Sequence, residues 1–501
     1  VPSLVGTAWS NGGGAPGTWS YIGPAPPGSF PHQWNATISS HHIGGNFMAS
    51  VGYVLPQYSA PSGIVLQASA GGGGAFTAPG PPIASGVGGT TWLDYPYLEM
   101  QLDPAVPLPD LGTGHIAWVE YRDGDGDPDG DQNLIDDPGD VFSIWYSFSN
   151  TVLGPFLWPA ASPPTMIQPP FPVIPGAHQT HRPAVAVTTS ISAGLLPPGG
   201  VYVAWTDGID IWLDANPGPV GGGAWGVIGP APVKPIAPVM PPVIPAGPPI
   251  LAASSIALAL DEGPNCPGRL YLAWADMRLG DGDIWFSAST DGGITWSPDA
   301  RVNCVQIGDQ WAPQMTVDPS TGDICVVYYD QRNAPGAGVE VWSSTSSDCG
   351  VIWSDQLVSQ VGPVPQVSTL ATPPGPPGAV YAGDYLDVEA NNLNGLGAVW
   401  NDGRNGTDED VFFETTKQPV ACVSCCQVAG NADGGINGKV NIADITFLIG
   451  RIFAGGPASP CCEEGDADGS GRINIADVTF LIARIFAGGA APICGPANMG
   501  C

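Results

Sequence analysis

Six segments of this 501-residue chain repeat one pattern, and that repeat limits the possible folds more than any other feature. LAWADMRLGDGDIWFSASTDGGITW, VVYYDQRNAPGAGVEVWSSTSSDCGVIW, VAWTDGIDIWLDANPGPVGGGAW and AVWNDGRNGTDEDVFFETT align with one another. IAWVEYRDGDGD…FSIWYSFS joins them, as does, more faintly, FMASVGYVLPQYSAPSGIVLQASAGGGGAF. Each copy opens on an apolar strand that ends in an aromatic residue and an acid. A polar loop, an alternating strand and a Gly-rich turn follow. A further strand precedes most copies, as in PAVAVTT, SSIALAL and APQMTVD. Repeat units this short bury their apolar faces only by stacking on their neighbours.

Four short strands recurring six times predict an all-β six-bladed propeller over residues 1–418. The segment around Leu4–Trp19 is expected to complete the last blade beside Val411–Thr416. Pro230–Ile250 reads as a stiff connector between blades three and four. Trp118, Trp205, Trp274 and Trp400 recur at one blade position and are read as inter-blade core. The turn Ser289–Trp296 is a full Asp-box, S-x-D-x-G-x-T-W; Ser346–Trp353 is a close second copy and Ser69–Phe76 a degraded third. In such a turn the Asp closes a tight hairpin on backbone N–H groups while the Trp packs between blades, so the motif marks architecture rather than chemistry.

The last part of the chain repeats a different unit. In GDADGSGRINIADVTFLIARIF, Asp466, Asp468 and Ser470 stand at loop positions 1, 3 and 5, with Gly471 at the sharp turn. Arg472 offers its carbonyl at position 7, and Asn474 and Asp477 stand at 9 and 12. Alternate oxygens aimed at one centre suit calcium, a hard cation that takes six to eight such ligands. GNADGGINGKVNIADITFLIGRIF matches it with two extra residues, so Asn431, Asp433, Asn437, Lys439 (through its carbonyl), Asn441 and Asp444 are its expected ligands. Each loop runs into a helix by apolar periodicity, with Asn441 and Asn474 placed as N-caps and Asp444 and Asp477 three residues on. A third calcium loop is expected at Asp125, Asp127, Asp129, Asp131, Asn133 and Asp136. Filling three sites would bring the formal charge from −32 to −26.

These motifs carry two resemblances. Residues 420–501, with two tandem loop–helix units, resemble a type I dockerin, which implies an EF-type calcium domain that docks on a cohesin-like scaffold. Domain bounds follow at 1–418, a linker at 419–424, and 425–501. The Asp-boxes resemble those of sialidase-like (BNR-repeat) propellers. That resemblance implies three arginines on a substrate carboxylate, a Tyr–Glu nucleophile pair and an Asp acid/base. Arg122, Arg278, Arg332 and Arg404 share one repeat position, each two residues after an acid. They are read first as loop ion pairs copied with the blade, and otherwise as a ring around the axis. Tyr328 and Tyr329 match the nucleophile by type alone, and no catalytic residue is assigned.

Composition sets the surroundings. Only 13 Lys and Arg face 45 Asp and Glu, so nucleic acid and anionic membrane are poor partners. No run of about 18 apolar residues suggests a membrane span. A start at Val1 is read as a removed signal peptide. Eleven cysteines fit an oxidising compartment, and an odd number leaves at least one unpaired within the chain. Cys422, Cys425, Cys426, Cys461, Cys462, Cys494 and Cys501 crowd the tail, where disulfides are preferred over zinc. Asn35 and Asn405 begin glycosylation sequons, and His178 and His181 are read as surface residues. The first functional expectation is a secreted, calcium-stabilised assembly protein, docked through its tail to another copy or to a scaffold. The alternatives are a dockerin-borne exo-glycosidase and a glycan-binding propeller.

Overall fold

The computed structural model describes residues 6–10, 19–24, 34–41, 47–54, 63–69, 82–86, 91–101, 113–122, 139–149, 164–172, 181–188, 196–218, 223–236, 256–305, 307–335, 338–359, 362–363, 386–391, 395–402, 404, 410–415, 428–434, 439–454, 456, 459, 461–470 and 473–494. Strands dominate it. β1 (Gly6–Ser10) and β2 (Trp19–Pro24) form a hairpin of their own. Six antiparallel sheets follow in chain order, numbered here 1 to 6. Sheet 1 holds β3 (Trp34–His41), β4 (Phe47–Val54), β5 (Gly63–Ser69) and β6 (Ala84–Ser85). Sheet 2 holds β7 (Thr91–Gln101), β8 (Thr113–Arg122), β9 (Val141–Ser149) and β10 (Thr165–Pro172). Sheet 3 holds β11 (Ala184–Val187), β12 (Val201–Thr206), β13 (Asp210–Asn216) and β14 (Lys234–Pro235). Sheet 4 holds β15 (Ile256–Leu260), β16 (Leu270–Asp276), β17 (Asp283–Ser289) and β18 (Ala300–Arg301). Sheet 5 holds β19 (Gln310–Val317), β20 (Ile324–Asp330), β21 (Glu340–Ser346) and β22 (Ser354–Leu357). Sheet 6 holds β23 (Asp387–Asn391), β24 (Gly395–Asp402) and β25 (Asp410–Thr415).

The strands within a sheet meander, and the first strand of each sheet packs on the first strand of the next. The cores lie between sheets. Tyr202 and Ala204 face sheet 4, whereas Val201, Val203 and Trp205 on the same strand face sheet 2. Both faces of β12, β16 and β20 are therefore buried, which explains why these strands read as unbroken apolar runs rather than alternating ones. Trp118, Trp205, Trp274 and Trp400 are all core. Each pairs directly across the sheet with an aromatic of the third strand: Trp145, Trp212, Trp285 and Phe412 respectively.

Two Asp-box turns show why their residues recur. Asp291 Oδ1 accepts from the Thr295 N–H at 2.8 Å, and Ser289 Oγ accepts from the Gly293 N–H at 2.8 Å. Asp348 Oδ1 accepts from the Ile352 N–H at 2.8 Å, and Trp353 packs edge-on against Phe286 of sheet 4. Gly293 sits at φ 92°, and a Cβ there would come within 2.5 Å of Leu213 in sheet 3. Cys349, in the second turn, is bonded to Cys266 in the β15–β16 hairpin, which ties sheet 5 to sheet 4. Cys325 is free and buried. Residues 70–76 of the degraded Asp-box lie outside the described residues.

Three expectations are corrected. Among the described residues, Gly6–Ser10 pairs with Trp19–Pro24 and not with Val411–Thr415, because a hairpin within 20 residues closes at a far smaller entropic cost than a pairing across the chain. Lys234 and Pro235 belong to an edge strand of sheet 3, a place where a proline's missing N–H does no harm. His181 is buried: it stacks on Phe142 at 3.8 Å, and its Nδ1 lies 3.1 Å from the Tyr121 hydroxyl. Burial lowers its pKa to about 3, so it stays neutral. His178 lies outside the described residues.

The tail is helical: α1 (Ile442–Ala454), α2 (Cys462–Gly465) and α3 (Ile475–Ala487). α1 packs on α3 over a small core of Ala432, Ile445, Leu448, Ala467, Val478 and Leu481. Such a core supplies only a few kcal/mol, so the module needs staples. Cys461 and Cys494 are both disulfide-bonded.

The wedge at the sheet 4–sheet 5 junction gives a direct test. Trp353→Ala should destabilise the body by about 3–5 kcal/mol in chemical denaturation. Ile352→Ala, at a residue 57% exposed, should stay within about 0.5 kcal/mol.

Candidate metal centre and clustered strand acids

The two tail loops repeat each other nearly bond for bond. Asp477 Oδ2 accepts from the Asn474 N–H at 2.8 Å and Oδ1 from the Asp468 N–H at 3.2 Å. Asp444 does the same with Asn441 at 2.8 Å and Asp433 at 3.2 Å. Asn474 and Asn441 cap their helices through their side-chain oxygens, at 2.8 Å to Ala476 N–H and 2.9 Å to Ala443 N–H. The predicted capping boxes are thus the same residues as the predicted ligands. A carboxylate that closes the loop also starts the helix.

Carboxylate oxygens of Asp466, Asp468 and Asp477 lie within 4.8 Å of one another, with Asp466 and Asp477 buried. Burial, with the charges of Asp468 and Asp466, raises the Asp477 pKa to about 6. In the other loop, Asn431 is buried and its Oδ1 has no hydrogen-bond partner. A buried acceptor without a donor is costly unless a cation satisfies it. Both donor sets, all oxygen and partly anionic, are suited to calcium. Asn437 and Arg472 lie outside the described residues, as do Asp125, Asp127, Asp129, Asp131, Asn133, Asp136 and Asn405. Of Asn35, only its place in β3 is described.

The helices leave an apolar stripe uncovered. Ile442, Ile449 and Phe453 on α1 are exposed, and so are Ile475, Ile482 and Phe486, their counterparts on α3. The spacing of seven and four residues puts each set on one helix face, apart from the buried core residues. Neither stripe carries a charge.

The arginines at the shared repeat position do not aim at a common centre. Arg122 pairs with Glu120, Arg278 with Asp276 and Arg332 with Asp330, each with the acid two residues before it. Arg278, Arg332 and Arg404 then lie over the third-strand aromatics Trp285, Trp342 and Phe412 at 4.3, 3.9 and 3.8 Å. Arg332 also bonds Asp355 at 2.7 Å and the Tyr328 hydroxyl at 3.1 Å, which makes Tyr328 a structural partner of an arginine. In sheets 2, 4 and 5 they are loop ion pairs copied with the repeat.

The first strands hold what the sequence reading missed. Tyr97 and Glu99 on β7, Asp387 and Glu389 on β23, and Arg182 before β11 lie within electrostatic reach of one another. For sheets 2 and 6 to meet in this way, the row of sheets must curve round a common centre. Asp387 and Glu389 are exposed, and Tyr97 and Glu99 half-buried, so the group faces solvent where sheets 2 and 6 approach. Burial, then the charges of Glu389 and Asp387, holds Glu99 well above the usual carboxylate range. Burial and Glu389 push Asp387 to about 6, against the pull of Arg182. Residues 97 and 99, like 387 and 389, differ by two and so share a strand face. That spacing was the signal available in the sequence.

No family model matches the chain, and no curated protein does. Solved structures that it resembles include a protein of unknown function from Dyadobacter fermentans, at TM-score 0.41 and 15% identity, covering 78% of this chain and 97% of that one. The leech intramolecular trans-sialidase matches at TM-score 0.39 and 12% identity, over 78% of this chain and 69% of that one. Penicillium chrysogenum α-L-arabinanase matches at 0.39 and 12%, over 79% and 97%. At such scores the likeness says nothing of this chain's chemistry. Among the described residues, no helix is long and apolar enough to cross a membrane.

These acids predict a pH effect. With folded-state pKa values raised, the folded chain binds more protons than the unfolded one, so their contribution to stability grows as pH falls from about 7 to 5. Asp387→Asn should raise the thermal midpoint near neutral pH and flatten that rise in calorimetry. An unchanged midpoint and slope would count against a mutually repelling set of acids here.

Proposed function

We propose that residues 425–501 form a calcium-organised docking module, which ties a six-bladed propeller to another protein outside the cell. One observation carries this reading: two loop–helix halves repeat each other's hydrogen bonds, and each leaves an uncharged apolar stripe open. A stripe of large apolar side chains on a chain of net charge −32 is costly to leave in water, and a protein partner would cover it. In this reading Asp466, Asp468, Ser470, Arg472 and Asp477 hold one ion, and Asn431, Asp433, Asn437, Lys439 and Asp444 hold the other. Asn441 and Asn474 cap the helices beside them. Bound calcium neutralises the converging carboxylates, and the helix starts are set by the same residues. The acidic loop at Asp125–Asp136 is proposed as a third site. Disulfide bonding fits secretion.

A second reading concerns the body. Glu99 and Asp387, both raised above the ordinary carboxylate range beside Arg182, supply groups that a glycosidase-like or glycan-binding channel would use. Should the body hydrolyse glycosides, Glu99→Gln is expected to lower kcat by about 100-fold or more without unfolding the chain.

Calcium titration by calorimetry tests the main reading. Wild type should bind two or three ions, and Asp477→Asn should weaken one site by about tenfold or more. By mass action, saturating calcium at about 100 times Kd should add about 2.7 kcal/mol to the stability of the tail. A tail whose helicity and stability ignore chelation would remove the reading.

A further inference from the structure

Resting on the docking reading, we infer that the partner is a second copy of this chain, and that the tail lands on the Asp-box end of its sheets 4 and 5. Charge points to it. Residues 425–501 carry seven acids and four bases, a net of −3, and two calcium ions would turn that to +1. Residues 1–424 carry 38 acids and nine bases, which puts −29 of the total −32 on the body. A calcium-loaded tail is therefore attracted to the body of another copy, while a calcium-free tail is repelled by it.

The surface at that end fits the stripes. Ile294, Val351 and Ile352 stand 56%, 74% and 57% exposed at the tips of the two Asp-box turns. Asp291, Asp318, Asp323 and Asp348 belong to turns at the same end of these sheets and edge the apolar tips with negative charge. On the tail, Phe453 and Phe486 are 67% and 66% exposed, and Lys439 and Arg484 are exposed bases on the same module. The receiving surface is also rigid. The Cys266–Cys349 bond and a hydrogen bond from Asn265 Nδ2 to Ser347 O at 3.2 Å lock the β15–β16 hairpin to the second Asp-box. Little ordering entropy remains to be lost there on binding. Tail and Asp-box end are different surfaces, so the contact is heterologous and adds copies head to tail unless it closes as a ring.

Sedimentation velocity of the full chain across a concentration series, in calcium and after chelation, tests this. Phe453→Asp/Phe486→Asp removes the tail surface and Val351→Asp/Ile352→Asp the receiving one. All four positions are exposed, and calcium titration of each variant checks that the module still folds. Wild type should form concentration-dependent oligomers in calcium that dissolve on chelation. Each variant should stay monomeric, its self-affinity down by about tenfold or more. The two variants mixed should form a one-to-one dimer, since each keeps one intact surface. Calcium binding with a monomeric wild type overturns self-docking and leaves a foreign partner for the module. A calcium-dependent compaction of the monomer overturns it in favour of docking within one chain. Oligomers that survive Val351→Asp/Ile352→Asp overturn the assigned surface. Failure to bind calcium removes both this inference and the reading beneath it.

Discussion

Burial of the second strand on both faces is the constraint on which the body depends. β12, β16 and β20 have no solvent side, so each sheet is stable only between two others. Alternate residues are consigned to opposite neighbours, and a slip of one position would exchange the two cores. The large ring systems do most of the filling. Trp205, Trp274 and Trp400 each face the preceding sheet, and the third-strand aromatic opposite each one backs it.

Strand ends in such a stack bring backbone and acids into one crowded rim, and the chain meets this with one repeated device. An acid closes the second strand, an arginine two residues later neutralises it, and the guanidinium rests on the third-strand ring. Where sheet 3 has no arginine, Asp207 accepts instead from the Trp212 indole N–H at 2.8 Å. A few basic residues are thus committed to the fold, which leaves most of the acid charge unbalanced on the body.

Repeated features were the legible ones. The Asp-boxes, the helix caps at Asn441 and Asn474, and the tryptophan core each stand in a copied context, so two readings of one motif check each other. Single features were less so. His181 lies in a polar, Pro-containing stretch and is buried because Tyr121 and Phe142 come to it from another sheet. Lys234–Pro235 reads as linker, since nothing local reveals the edge it pairs with. The acids between sheets 2 and 6 were hidden for the same reason: Glu99 and Asp387 are ordinary strand acids until the packing of the stack brings those sheets together. Pairing partners distant in sequence, not residue types, carried the missing information.

The cross-link between Cys266 and Cys349 has a mechanical consequence. It closes a loop over a sequence separation of 83, and that loop contains all of β16 to β21. A pull carried between Cys266 and Cys349 passes through the sulfur atoms and bypasses those strands. The chain can then lengthen by roughly 290 Å less than its residue count allows, at about 3.5 Å per residue. The strands from β16 to β21 are shielded from a load carried between these two cysteines, whereas β15 and β22 are not.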